Sequence, residues 1–319
     1  MIEKHQISQL AEEMRFDRYL RIIKPSLTQS IIEKNLRKNC IKLNGKRAKS
    51  NARVKNGDEI IFYRVADYEN AENFKKPEFT EKAKILAEKI FTDYVIYESN
   101  NLVAINKPSG ISSQGGTAVK VSIDDALHYI NLKEQNNPID KSLRILHRLD
   151  KETSGVFLIA KNRITATNIG SMLAARKIEK QYLAILCGTP NQKEGEKTIY
   201  IKKDLNSKIQ VRSPDGDEAI TKFKILHSNQ KYSLALFKPL TGRMHQIRAF
   251  AQYLECPILG DDKYGGENSK HLFLHSYKTK IPKDIDNKEI LIEAPIPEYF
   301  RKFSSENFNL DIINILNEH

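Results

Sequence analysis

Leu146-His147-Arg148-Leu149-Asp150-Lys151-Glu152-Thr153-Ser154-Gly155 runs directly into Val156-Phe157-Leu158-Ile159-Ala160. A charged, hydroxyl-rich turn is followed by an uninterrupted apolar run, which reads as a turn held by a buried strand. A carboxylate on such a turn is presented at fixed geometry, because the strand beneath it is anchored in a core. Asp150 also lies close to the cation Arg148, and opposite charge favours the ionised form that a nucleophile needs. On its own an Arg-Leu-Asp tripeptide is more often a solvated turn, since charged residues collect in turns without doing chemistry. What surrounds it decides between the two.

The chain has 319 residues, long enough for two domains and at least one sizeable core. Forty per cent apolar and 29% charged residues fit a globular protein. Fifty-two Lys and Arg against 40 Asp and Glu leave a formal charge of +12, which draws the protein toward polyanions, nucleic acid being the simplest. There is no run of 18 apolar residues and no strongly basic amphipathic helix, so a membrane is not expected as partner. Met1-Ile2-Glu3-Lys4-His5-Gln6 has no apolar signal core, and a cytoplasmic location is the expectation. Cys40, Cys187 and Cys256 are widely spaced and read as reduced thiols. No glycine-rich phosphate loop is present, so no nucleotide cofactor is indicated, and none of any kind is expected.

Four regions are expected along the chain: an amino-terminal segment (1–14), a small basic domain (15–75), a linker (76–90) and a larger domain (91–319). The basic domain opens with Arg15-Phe16-Asp17-Arg18-Tyr19-Leu20 and continues into a helix with Ile31, Ile32 and Leu36 on one face, capped by Thr28 or Ser26. Cys40 to Lys46 reads as a strand ending in an Asn44-Gly45 hairpin turn, and Glu59 to Tyr63 as a further strand. This sequence resembles the S-four type of RNA-binding domain. The resemblance implies that Lys34, Arg37, Lys38 and Lys42 present a basic face to RNA; as a bare pattern the same residues are equally a solvated face.

The larger domain begins with a hairpin, Tyr94 to Tyr97 and Leu102 to Ile105, stopped by Asn106-Lys107-Pro108-Ser109-Gly110. A helix follows Asp150 over Arg163 to Ala175. Then comes a strand from Gln181 to Cys187, apolar on both faces, and a hairpin of Ala219 to Leu226 with Tyr232 to Phe237. The class is α+β with a mixed, mainly antiparallel sheet.

A second dense motif is Leu240-Thr241-Gly242-Arg243-Met244-His245-Gln246-Ile247-Arg248, continuing to Gly260-Asp261-Asp262-Lys263-Tyr264. Ile247, Phe250, Ala251 and Leu254 form the buried stripe of a helix, leaving His245, Arg248 and Gln252 on one flank. Arg243 and His245 stand at its start, where free N–H groups and the helix dipole favour a phosphate.

Together the Asn106–Gly110, Leu146–Ala160, Lys180-Gln181-Tyr182 and Leu240–Arg248 stretches resemble, in order, the motifs of the RluA class of pseudouridine synthases, which rearrange uridine within RNA. The Leu36–Asn39 and Gly57-Asp58 stretches look closest to the C branch of that class, whose RNA is the 23S ribosomal RNA of the large subunit. The resemblance implies an isomerase without metal or cofactor. Its active site would be Asp150, Tyr182 and Arg248 as the basic partner of Asp150, with Arg243 as the fallback for that partner. Arg148 would enter the RNA stack as the target uridine turns out, Tyr182 would stack on the uracil, and Leu274, in a strand Leu272-Phe273-Leu274-His275, would line the base pocket. Met244 and Ala249-Phe250 depart from the usual motif. A monomer is the default expectation. Two rivals remain at this stage besides a synthase of the same class acting on transfer RNA. A glycoside hydrolase needs a second catalytic carboxylate, for which Glu152 is nearest in sequence. A non-catalytic RNA-binding or ribosome-assembly factor needs no active site at all. His271 and His275 are spaced too far along one strand for routine zinc chelation.

Overall fold

The run Val156–Ala160 is apolar at every position because both faces of its strand are covered. In a computed structural model the described residues are 2–8, 13–24, 27–63, 79–116, 119–133, 142–204, 209–283 and 288–317. The chain divides into two compact units, residues 1–78 and 79–319.

The first unit contains β1 (Ile2–Gln6), β2 (Met14–Arg15), α1 (Phe16–Ile23), α2 (Gln29–Arg37), β3 (Ile41–Leu43), β4 (Arg53–Val54) and β5 (Glu59–Tyr63). Thr28 caps α2, its hydroxyl accepting from the Ile31 N–H at 3.4 Å; the other candidate, Ser26, lies outside the described residues. Ile32 and Leu36 are buried on the expected face. Asn44 and Gly45 have φ of 49° and 71°, the left-handed pair that a tight hairpin turn requires, and Leu43 and Lys46 exchange both backbone hydrogen bonds across it. The segment set apart as 1–14 is not separate. Its β1 pairs antiparallel with β5, and β5 with β3. β1 is polar and alternately exposed, so the backbone ladder rather than apolar burial holds it.

The second unit contains α3 (Glu81–Thr92), β6 (Val95–Glu98), β7 (Leu102–Lys107), α4 (Ile123–Lys133), β8 (Arg144–Ile145), β9 (Ser154–Ala160), α5 (Arg163–Ala174), β10 (Glu179–Cys187), β11 (Glu194–Lys203), β12 (Gln210–Arg212), β13 (Asp217–Ser228), β14 (Tyr232–Pro239), α6 (Gln246–Tyr253), β15 (Leu274–Ile281), β16 (Ile290–Glu293), α7 (Glu298–Phe308) and α8 (Ile312–Asn317). Composition predicts a linker over 76–90. Residues 64–78 lie outside the described residues, but the rest of that stretch is α3, capped by Thr80 and burying Ala83, Leu86, Ala87 and Ile90.

Among the described residues the strands form one large, mainly antiparallel sheet of order β12-β11-β13-β14-β10-β15-β9-β7-β6, with β16 beside β15 and β8 beside β9. Phe157 and Ile159 of β9 pack on the side of α3 and α4, while Val156 and Leu158 pack with Ile169 of α5 and Ile292 of β16. Burying each such side chain stabilises the fold by roughly 1.5–3 kcal/mol, which makes β9 a firm base for the turn before it. One pair is parallel, β9 with β15, where Ser154 lies opposite His275 and Gly155 opposite Ser276. Gly155 has φ of 109°, and a Cβ there would collide with the Ser276 backbone. Glycine therefore permits the close approach that brings the Asp150 turn beside β10 and β15. Among the described residues no helix is long and apolar enough to cross a membrane.

Candidate active site

Asp150 stands at the tip of a hairpin. β8 pairs with β9, and His147 prolongs the pairing with its side chain: Nε2 accepts the Leu158 N–H at 2.9 Å, and the ring packs on Phe157. Burial pulls the His147 imidazole down to about 3, so it stays neutral and able to accept. The Thr153 N–H returns to the Asp150 carbonyl at 3.1 Å, closing the tip.

A second loop clamps the tip from outside. The Ser113 hydroxyl donates to the Leu149 carbonyl at 2.7 Å and accepts the Leu149 N–H at 3.0 Å. The Gly110 N–H reaches the Lys151 carbonyl, and the Ser109 hydroxyl the Glu152 carbonyl. Lys107, wholly buried, donates to the carbonyls of Pro108, Ile111 and Lys151 at 2.9, 2.8 and 3.0 Å. Burial pulls its ammonium down to about 7, and in the charged form the three carbonyl acceptors use all three ammonium hydrogens. The Asn106–Gly110 turn is thus a brace for the Asp150 loop.

Opposite the tip, β10 carries Tyr182, paired with Phe237 of β14 and Ser276 of β15, with a register shift between Gln181 and Tyr182. Tyr182 is buried, and burial pushes its hydroxyl up to about 12, with Asp150's charge adding to the effect. Leu274, the first residue of β15, is also buried at this pocket. The strand begins two residues later than Leu272–His275 suggests and runs on to Ile281. Leu272 and Phe273 precede it, the Phe273 N–H donating to the Leu259 carbonyl while its own carbonyl accepts the Ile185 N–H of β10.

Arg248 lies in the first turn of α6, and its guanidinium is divided. Nε and Nη2 donate to the two Asp261 oxygens at 2.7 and 2.6 Å, while Nη1 lies 3.6 Å from Asp150 Oδ2. Burial opposes its charge, but the Asp261 hydrogen bonds and the charges of Asp261 and Asp150 outweigh that and keep its pKa above the usual value. Asp261 is completely buried. Of the two arginines left open as Asp150's basic partner, Arg248 is the one beside it. Arg243 instead donates to the Glu218 carbonyl at 3.1 Å and pairs with Asp217 at 3.4 Å.

His245, the cap of α6, has left-handed backbone (φ 52°). Its Nδ1 lies 3.0 Å from the Tyr264 hydroxyl and its Nε2 3.9 Å from Asp150 Oδ2. Burial lowers its pKa, which leaves the ring neutral. Burial pushes Tyr264 up to about 12, and its hydroxyl already accepts the Gln210 N–H at 2.7 Å. In the tautomer in which Nδ1 accepts the Tyr264 proton, the hydrogen on Nε2 faces Asp150. Gln252 Nε2 donates to the Tyr264 carbonyl, so the flank of His245, Arg248 and Gln252 does share one partner, the Asp261–Tyr264 turn. Gln246 Oε1 accepts the Arg243 N–H at 3.0 Å and the Thr241 hydroxyl at 2.7 Å, both just before the helix.

Asp150, Tyr182, Arg248, Leu274, Arg148, Arg243 and His245 all line one pocket, together with Lys180. Arg148 is exposed at its mouth. Among the described residues Asp150 is the one carboxylate lining it; Glu152 is engaged by Lys151 and Ser109. The second carboxylate that a glycosidase needs is not in this pocket among the described residues, although Glu152 and Asp262 line the neighbouring depression that also reaches Asp150. His271 stacks on Tyr299 and His275 bonds Ser154 through Nδ1 at 2.9 Å, so they do not converge, and among the described residues no group of three or more His, Cys, Asp or Glu does. In the first unit Lys34 and Arg37 are exposed on α2 and Lys38 at its cap. Lys42 belongs to β3, half-buried with its ammonium over the Tyr63 ring.

Sequence reasoning missed Lys107 as a brace, Asp261 as the anchor of Arg248, and Lys180 as a pocket wall. All three stand in stretches singled out in the sequence, Lys107 in Asn106–Gly110, Lys180 in Lys180-Gln181-Tyr182 and Asp261 in the second dense motif, but nothing local marks the partners they meet.

Comparison with known proteins is consistent with this geometry. Residues 101–253 match the family described as RNA pseudouridylate synthase. The chain is 41% identical over 296 residues to the ribosomal large subunit pseudouridine synthase C of Rickettsia bellii, covering 90% of this chain and 96% of that one. It is 30% identical to the protein of the same name from Vibrio vulnificus, covering 94% and 95%. Among solved structures, the human RNA pseudouridylate synthase domain containing 4 superposes with a TM-score of 0.61 at 26% identity, over 72% of this chain and 98% of that one.

Proposed function

The chain belongs to the RNA pseudouridylate synthase family, and on that premise we propose that it isomerises specific uridines in large-subunit (23S) ribosomal RNA, with Asp150 as nucleophile. The substrate follows the names of its relatives from Rickettsia and Vibrio. The nucleophile rests on one observation: a single carboxylate lines the pocket, 3.6 Å from a guanidinium whose other edge is held by a buried partner.

The target uridine turns out of the RNA and its base enters between Tyr182 and Leu274. Unstacking costs a few kcal/mol, and Arg148, exposed at the mouth, offsets it by stacking its planar guanidinium in the gap. Asp150 attacks ribose C1′, or otherwise assists departure of the uracil, and the C1′–N1 bond breaks. The uracil, held by Tyr182, rotates and rejoins through C5; C5 loses its proton and N1 gains one. No atom or electron is gained overall, so the reaction calls for no electron carrier. Arg248 stabilises the Asp150 carboxylate, and His245 offers it an N–H. Tyr182 keeps its proton at neutral pH, because burial pushes it up to about 12. The C5 proton therefore leaves to water rather than directly to the phenol.

The first unit serves as an S-four-type RNA-binding domain, with the exposed Lys34, Arg37 and Lys38 and the half-buried Lys42 in its basic face. The test is nucleoside chromatography after incubating the enzyme with unmodified transcripts of 23S, 16S and transfer RNA. Pseudouridine in the 23S transcript alone supports the reading, and pseudouridine only in transfer RNA sinks its substrate. Removal of residues 1–75 is expected to weaken or broaden site choice.

A further inference from the structure

Beside the Asp150 pocket lies a second cleft of ≈ 470 Å³, within the size range of small-ligand sites. Arg148, Arg176, Lys180 and Arg243 line it, and among the described residues no carboxylate does. It shares Arg148, Lys180 and Arg243 with the pocket, so the two depressions are continuous. Lys180 stands between them, half-buried, and burial lowers its pKa. A partly desolvated ammonium in a cleft wall that carries cations and, among the described residues, no carboxylate is poised for an anion. Arg176 occupies the position after α5 with φ of 58°, a left-handed conformation that usually falls to glycine. An arginine retained there brings a long cation to the cleft rim.

Two exposed ion pairs occupy the outer cations. Arg176 meets Glu218 at 3.3 Å and Arg243 meets Asp217 at 3.4 Å, with all four side chains 40–69% exposed. Such pairs are weak and readily exchanged, whereas a phosphate offers a guanidinium two parallel hydrogen bonds.

We propose that this cleft is the subsite for a backbone phosphodiester next to the target nucleotide, with Lys180 and Arg176 as its ligands and Glu218 holding the place of the phosphate on Arg176. This rests on the reading of the substrate as RNA and adds where the strand runs. A purely structural Arg176–Glu218 pair gives the same effect when either partner is removed. A placeholder gives opposite effects.

The experiment is fluorescence anisotropy of a single-stranded oligouridylate with the full chain from 50 to 300 mM KCl, comparing wild type, Arg176→Gln and Glu218→Gln. Arg176→Gln is expected to weaken binding about 3–10-fold at low salt and to flatten the log–log salt slope by about 0.7, the loss of one single-strand phosphate contact. Glu218→Gln is expected to tighten binding about 2–5-fold. If Glu218→Gln fails to tighten binding, or Arg176→Gln leaves affinity and slope unchanged, the assignment is overturned. Unchanged thermal melting of both variants shows that folding is not the cause. Pseudouridine formation is scored separately: a wild type that forms none while the two variants shift oppositely overturns the isomerase reading and leaves the cleft standing.

Discussion

Arg248 and Asp261 are locked edge to edge by two hydrogen bonds of 2.6 and 2.7 Å, in surroundings that leave Asp261 no exposure to solvent. The lock fixes the guanidinium, so that only Nη1 is offered to Asp150, at 3.6 Å. A free arginine would close on Asp150 in a bidentate pair and tie up both carboxylate oxygens. Asp261 thus sets the surroundings of Asp150 without lining its pocket.

Asp261→Ala is expected to leave a buried cation without its partner, at about 3–5 kcal/mol of stability in urea unfolding. Asp261→Asn, which preserves shape, is expected to lower kcat about tenfold or more while KM changes little. Wild-type kcat in the Asn variant would show that the lock does not act on Asp150.

The Lys107 brace is tested by Lys107→Met. Three carbonyls lose their donor, which costs about 3 kcal/mol or more, and the Asp150 loop is released, so kcat falls further than RNA affinity. In the wild type the ammonium, pulled down to about 7, gives up its third hydrogen bond as pH rises through that value. An alkaline decline in kcat is expected, and it should be missing from the pH profile of the Met variant. A decline of the same shape in both proteins would remove Lys107 as its origin.

His147 links stability to acid. Its native pKa of about 3 lies below the ordinary 6.5, so as pH falls below 6.5 the unfolded chain takes up a proton that the native one refuses. Stability then drops by about 1.4 kcal/mol per pH unit from this residue until the native pKa is approached. His275, held at about 4 by burial, adds in the same direction. Between pH 6 and 4.5, His147→Gln is expected to reduce the slope of unfolding free energy by about one proton. An unaltered slope would mean that His147 is protonated in the native state.

The parts of this molecule legible in its sequence are those that local periodicity encodes. Val156–Ala160 announces a two-faced strand, and the Ile247, Phe250, Ala251 stripe announces α6 along with the flank of His245, Arg248 and Gln252. α3 was equally encoded, with Ala83, Leu86, Ala87 and Ile90 at helical spacing behind Thr80. Its many charges obscure that stripe when composition alone is weighed. β1 is held by its ladder to a strand more than fifty residues away, and no local pattern records such pairing. The same holds at the site. Asp150 and Arg248 sit in dense motifs, but the bonds of Lys107 to Lys151, 44 residues on, and of Ser113 to Leu149 exist only after folding. A lysine before a proline in a turn carries no mark that it will be buried.

The central claim, that Asp150 performs C5 substitution on RNA, is tested most directly by tritium release from unmodified large-subunit ribosomal RNA labelled at uracil C5, comparing wild type with Asp150→Asn. The account expects release by the wild type and none by the Asn variant, with RNA binding retained by both. Release by Asp150→Asn at the wild-type rate would contradict it.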